Sequence, residues 1–241
     1  MREIYLKSTL KQIHEIARID PNLDKLERAV LRLSVLFQVN TEEIYKRNVS
    51  DIMKLDAELE RIEKETLTGK QDKKIKVGRR WFFIDYTITN LEAGQFIDLQ
   101  HFASIEPHLN MHKVIACVVR PMKHRWAKPE KYNGTKHEEI STHLLNQMTL
   151  KQAAPIAVFF LQGLKGIIAG YSNLFPKRSG ETEVEPDQFI KKWGWIYTVD
   201  NMANHDKTKW DYFLELPIIQ FLNLISYHLD HAEFEQRKAK K

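Results

Sequence analysis

The sequence predicts a mainly α protein, a multi-helix globular fold with one small β-hairpin near residues 73–86. Three observations carry that expectation. Apolar residues recur at spacings of three and four along most of the chain, the signature of amphipathic helices. The period drops to two in one place only, around residues 75–84. Capping residues stand before most of the periodic runs. The composition agrees: 241 residues, 43% hydrophobic and 29% charged, with nine Gly and eight Pro, describe a chain able to bury a sizeable core.

The elements follow in order. Ser8 is placed to cap a helix running through Ile19. Asp20-Pro21 supplies a cap and a first-turn proline ahead of Leu23, Leu26, Val30, Leu33 and Phe37. Thr41 opens a short third helix, and Ser50 a fourth that carries Ile52, Leu55, Leu59 and Ile62. The outer face of that fourth helix, with Glu58, Arg61, Glu63, Lys64 and Glu65, reads as solvated. Ile75 and Val77 then alternate with Lys74 and Lys76, Gly78-Arg79 provides a turn, and Trp81 to Ile84 is a dense β-forming run. Consecutive aromatics there point to both faces, so at least one face must lie against helices. Helices resume after Asn90, over LNMHKVIACVV at 109–119 with Pro121 as the stop, over 137–148, and over 150–172 behind Thr149. Between them, RPMKHRWAKPEKYNGTK reads as a basic loop.

Three segments result: an N-terminal helical segment at 1–66, a hairpin with a helical core at 67–175, and a C-terminal helical segment at 188–241. Residues 173–187, punctuated by Pro176, Gly180 and Pro186, read as the linker before the last.

The N-terminus has charges every few residues and no apolar core, so it does not read as a secretory signal. The lone Cys117 excludes an internal disulfide and fits a reducing compartment. Residues 154–175 are long enough for a membrane span but carry Gln162 and Lys165 in the middle, which favours a buried soluble helix and no membrane partner.

Catalytic and metal chemistry lack a constellation. His108 and His112 are four apart and His228 and His231 three apart, yet neither pair has a third ligand at a recognisable spacing. His137 and His143, in HEEISTH, are six apart and point to different faces. Cys117 sits in an apolar run that disfavours a thiolate, and neither a nucleophile elbow nor a phosphate loop occurs. Gly163, Gly166 and Gly170 read as helix-packing positions. The expectation is a non-enzyme with no cofactor, catalytic residue or metal.

Charge is more telling. The net +5 arises entirely between residues 67 and 131, which sum to +6, with centres at Lys70–Arg80 and Arg120–Lys131. Lys73, Lys74, Lys76, Arg79 and Arg80 form a candidate basic patch for phosphates. Lys on an edge strand is also a device against strand addition, and the neighbouring aromatics are wanted in the core, so nucleic acid is the disfavoured partner.

Several stretches together resemble the tail assembly chaperones of long-tailed bacteriophages. They are SDIMKLDAELERIEKE, then WFFIDYTITNLEAGQFIDLQHF, then ACVVRPM, then YNGTKHEEISTHLLNQMTLKQAAPIAVFFLQGL, and last WGWIYTVDNMANHDKTKWDYFLELPIIQFLNLISYHLDH. The resemblance is an order of elements covering most of the chain. It implies a non-enzymatic protein of the host cytoplasm that binds the tape-measure protein, recruits tail-tube subunits during virion morphogenesis and does not remain in the particle. The one continuous chain departs from the family's short and frameshifted forms and corresponds to a fused long form. A structural virion component of the neck or baseplate is the alternative, and self-association is compatible with either. Trp193, Trp195 and Trp210 are the expected partner-binding anchors, because so many aromatics in one segment are hard to bury together.

Overall fold

Thr-Leu-Lys-Gln occurs at both 9–12 and 149–152, and both copies start a helix by the same device. In each, the Gln side-chain oxygen accepts from the backbone N–H of its Thr, and at Thr9 the hydroxyl accepts in turn from Gln12 N–H, completing a capping box. The two starts also pair with each other as an antiparallel bridge. Leu10 N–H donates to the Met148 carbonyl at 2.8 Å, and Leu150 N–H donates to that of Ser8 at 2.9 Å. Orphan donors at two helix ends are thus satisfied by one short backbone contact.

The computed structural model describes residues 1–64, 69–107, 109–175 and 188–239. Among them the helices are α1 (Arg2–Lys7), α2 (Leu10–Ala17), α3 (Lys25–Phe37), α4 (Thr41–Tyr45) and α5 (Val49–Lys64), then the strands β1 (Lys74–Val77) and β2 (Arg80–Ile84). After these come α6 (Ala93–Ser104), α7 (Met111–Val118), β3 (Val119–Met122), α8 (His137–Gln147), α9 (Leu150–Gly170), α10 (Gln188–Met202), α11 (Trp210–Leu214) and α12 (Ile218–Ala239). The mainly α class with a small hairpin is therefore the observed one.

Two compact units share the chain: Met1–Tyr86 with Phe102–Phe159, and Thr87–His101 with Phe160–Lys241. Of the three divisions, one follows β2 and the other two fall within α6 and α9, so the units do not coincide with the expected segments 1–66, 67–175 and 188–241. Residues 176–187 of the expected linker lie outside the described residues.

The first unit is built on α3 and α5. Ala29, Val30, Leu33, Ile44 and Ile52 form one apolar cluster, and Tyr5, Ile16, Leu36, Leu59, Ile62, Leu150 and Ala154 another. Asp24, not Asp20, caps α3, with its carboxylate accepting from Leu26 N–H at 2.9 Å. Glu63 is not on a solvated face: it pairs with the buried Arg32 at 2.6 Å, and Asp56 does so at 2.8 Å.

The hairpin is joined by a third strand that the sequence reading placed at a helix end. β2 pairs antiparallel with β1 and with β3, giving the order β1-β2-β3. Pro121 does stop α7, but it then sits in an edge strand opposite Phe82, where a missing N–H is tolerated. Gly78 takes φ +57° in the tight turn, a conformation that favours glycine. One sheet face, with Val77, Phe82 and Ile84, is buried against α8: His143 Nε2–H donates to the Val77 carbonyl at 3.0 Å and its ring lies 5.9 Å from Phe82.

In the second unit, Leu91 and Ile218 repeat the paired-start device. Ala93 N–H donates to Leu216 and Ile218 N–H to Leu91, both at 2.8 Å, and Gln95 accepts from Glu92 N–H at 3.1 Å. Phe96, Phe221 and Leu222 are buried there. Gly163 is needed for close approach, since a Cβ would stand 2.9 Å from Ile88, whereas Gly166 and Gly170 have nothing within 4 Å, so packing does not account for them. By length and composition α9 could cross a membrane, and 39% of its most apolar window is buried.

Candidate functional site

Side chains that could recognise a partner gather on three surfaces, two in the second unit and one in the first. In the second unit, α10 divides cleanly. Trp195, Val199 and Met202 lie inward, while Phe189, Trp193, Ile196 and Tyr197 follow the spacing i, i+4, i+7, i+8 and are exposed, Trp193 by 41%. That spacing puts them within about 100° on the helix surface, and Phe189 and Tyr197 touch edge to face at 5.8 Å. The stripe continues the logic of a helix with two apolar faces, of which folding consumes one.

The expected anchors are not equivalent. Trp195 is half-buried, set among Phe96, Phe175 and Phe221 at 6.1–6.2 Å, and its indole Nε1–H donates to Gln100 at 2.8 Å. Trp210 is half-buried too. Only Trp193 offers its ring to solvent. Sequence reasoning counted Tyr197 in the aromatic load of this segment without choosing it as an anchor, and passed over Ile196, which the spacing from Trp193 could have found.

α12 adds a second exposed stripe. Its first turns bury Ile218, Phe221 and Leu222, but from Tyr227 to Ala239 every side chain is exposed. Leu224, Tyr227, His231 and Phe234 recur at three, four and three, with Tyr227 exposed by 61%. A helix in water without packing is marginal at this length, so the stripe is a ready seam for another chain.

The first unit carries the basic surface. The strand register gathers Lys74, Lys76, Trp81, Phe83, Arg120 and Met122 on the face opposite α8. Of the expected patch, Lys74 and Lys76 lie here. Lys73 precedes the strand, Arg79 occupies the turn, and Arg80 is on the other face, paired with Glu139 at 2.7 Å. The five side chains are all exposed but do not form one surface. What replaces that patch is a cluster the sequence kept apart: Arg125 lies 5.7 Å over Trp81 and 5.3 Å over Trp126, and Lys74 lies 5.8 Å over Trp126.

The histidines have structural surroundings. His137 stacks on Phe102 at 4.5 Å, and its Nε2 is 3.0 Å from the Lys113 carbonyl, so this nitrogen carries the proton and donates it there. Cys117 Sγ is 3.6 Å from the same nitrogen and fully buried, which leaves it no base and no access. His112 is buried beside His14, at 5.9 Å between rings, and burial together with His14 and Lys113 holds it neutral, at about 4. His228 and His231 are exposed, and His108 lies outside the described residues. Among the described residues no three His, Cys, Asp or Glu side chains gather to hold a metal ion.

No protein-family model matches the chain, and no curated protein and no solved structure is significantly similar to it.

Proposed function

We propose that this is a non-enzymatic assembly factor that holds an apolar polypeptide client, and that it acts as a phage tail assembly chaperone in the host cytoplasm. The observation that carries the reading is the exposed stripe of Phe189, Trp193, Ile196 and Tyr197 on α10. Large aromatic side chains at a surface are strong anchors for protein partners and contribute little in water. The i, i+4, i+7, i+8 arrangement suits a helical client laid along the face. The tape-measure protein is such a client, a long apolar chain. The α12 stripe gives a second seam, for the tail-tube subunit or for a second copy.

The order of elements that resembles the tail chaperones supports the specific reading, and the stripe supports the general one. Affinity capture from cells expressing the chain beside the tape-measure and tail-tube proteins of its own genome should recover the tape-measure protein. Mass spectrometry of purified particles should find the chain absent. Stoichiometric presence in the particle would replace this reading with a structural neck or baseplate component.

A further inference from the structure

A cavity of about 630 Å³ runs beside the edge strand β1 in the first unit. Its walls combine two chemistries. Five cations reach it, Lys70, Lys74, Lys76, Arg125 and Lys151, against the single carboxylate of Asp72, which Lys70 engages at 3.0 Å. Trp81 and Tyr86 supply aromatic surface inside, and Trp126 stands next to Arg125 and Lys74, exposed by 79%.

Edge-strand protection accounts for Lys74 and Lys76. It does not account for Lys151, which comes from the start of α9, or for Arg125 and an open indole, which come from the loop after β3. Nor does the core require Trp126. Cations converging from three elements around rings describe a site for a ligand that is anionic and flat. Along the chain, the exposed Lys123, Lys128 and Lys131 flank Arg125 and Trp126 in the same loop, and Arg120 lies 5.3 Å over Tyr132. Cations spread over several elements along one groove suit a ligand that carries its charges in series.

We propose that this groove binds single-stranded nucleic acid, with phosphates along Lys76, Lys74, Arg125 and Lys151 and a base stacked on Trp126. Successive phosphates and splayed bases meet cations and rings in this alternation, and an open indole accepts any base by its π-face. Duplex hides the base faces and gains only the charge contacts. This surface is independent of the α10 stripe and stands whether or not that stripe holds a client.

The test is fluorescence anisotropy with labelled 20-mers of deoxythymidine and of uridine, against a duplex of equal length and against polyglutamate. Binding to one or both single strands should be at least tenfold tighter than to duplex or polyglutamate, and should weaken with salt. Trp126→Ala, at a site too exposed to disturb the fold, should lower affinity about tenfold. Lys76→Glu should also weaken binding and reduce the salt dependence, whereas Lys207→Glu, equal in charge and outside the groove, should have far less effect. Equal binding of polyglutamate would assign the groove to acidic polypeptides and overturn the proposal. So would an unaltered affinity in Trp126→Ala, or equal losses in the Lys76→Glu and Lys207→Glu variants.

Discussion

Replacing Arg32 by Met should be the most destabilising single change of charge in the first unit. The Arg32 side chain is 8% exposed and faces Asp56 at 2.8 Å, Glu63 at 2.6 Å and Glu60 at 3.4 Å. Asp56 is 2% exposed. Burial raises the pKa of both Asp56 and Glu63 above the ordinary carboxylate value even against the attraction of Arg32. Without the guanidinium, the second cation nearby is Arg28, 3.9 Å from Glu60. Uncovering a buried charge in this way costs about 3–5 kcal/mol. With a urea dependence of about 2–3 kcal/mol per molar for a chain of this size, the midpoint should fall by roughly 1–2 M at pH 7. Adding Asp56→Asn should restore part of the loss, at least about 1 kcal/mol of coupling.

The pH dependence has a definite sign. A carboxyl whose folded pKa is raised keeps its proton in the folded state where the unfolded chain has lost it, so its contribution to stability declines as pH rises through the folded value. In Arg32→Met both values rise further, and the deficit against the parent should shrink between pH 7 and pH 5. Urea titrations followed by circular dichroism at both pH values provide the measurement. A midpoint displaced by less than about 0.3 M, or a deficit the same at both pH values, would refute the reasoning.

His112 should give the opposite slope. Its folded pKa is held at about 4 against 6.5 for the free side chain, so the unfolded chain takes up the proton first and stability falls as pH drops from 6.5 towards 4, by about 3 kcal/mol in full. His112→Leu should flatten that part of a stability-versus-pH curve. Gly78→Ala, forced to φ +57° against Gln147 at 3.1 Å, should lower stability by about 1–2 kcal/mol, read as a depressed melting temperature. Gly166→Ala, in α9 with nothing within 4 Å, should instead raise stability by about 0.5–1 kcal/mol.

The helices were legible because period and caps are local properties. Thr149 could be read as a cap directly, whereas Ser8 drew attention from its neighbour Thr9, which alone of the two has a Gln three residues on. β3 was hidden because a proline after an apolar run signals a helix stop as well as an edge strand, and the partner that decides between them is distant. The same distance hid the groove. Its cations were visible as two separate centres, and only the pairing of β2 with β3, Trp81 opposite Met122 and Phe83 opposite Arg120, brings them together. His-Arg-Trp at 124–126, an aromatic inside a basic loop, was the available signal. On α10 the apolar positions could be read but not their facing. With apolar residues on both sides of the helix, the buried side is set by Phe96, Phe175 and Phe221 packing on Trp195.

The central claim is that the α10 stripe keeps an apolar polypeptide in solution. Co-expression with the tape-measure protein of the same genome tests it directly, by comparing the parent chain with a Trp193→Ser, Ile196→Ser, Tyr197→Ser variant. All three side chains are exposed, so the variant should fold and remain soluble itself. The account predicts that the tape-measure protein is recovered in the soluble fraction with the parent chain and in the pellet with the variant. Equal recovery with both, or insolubility even beside the parent, would contradict it.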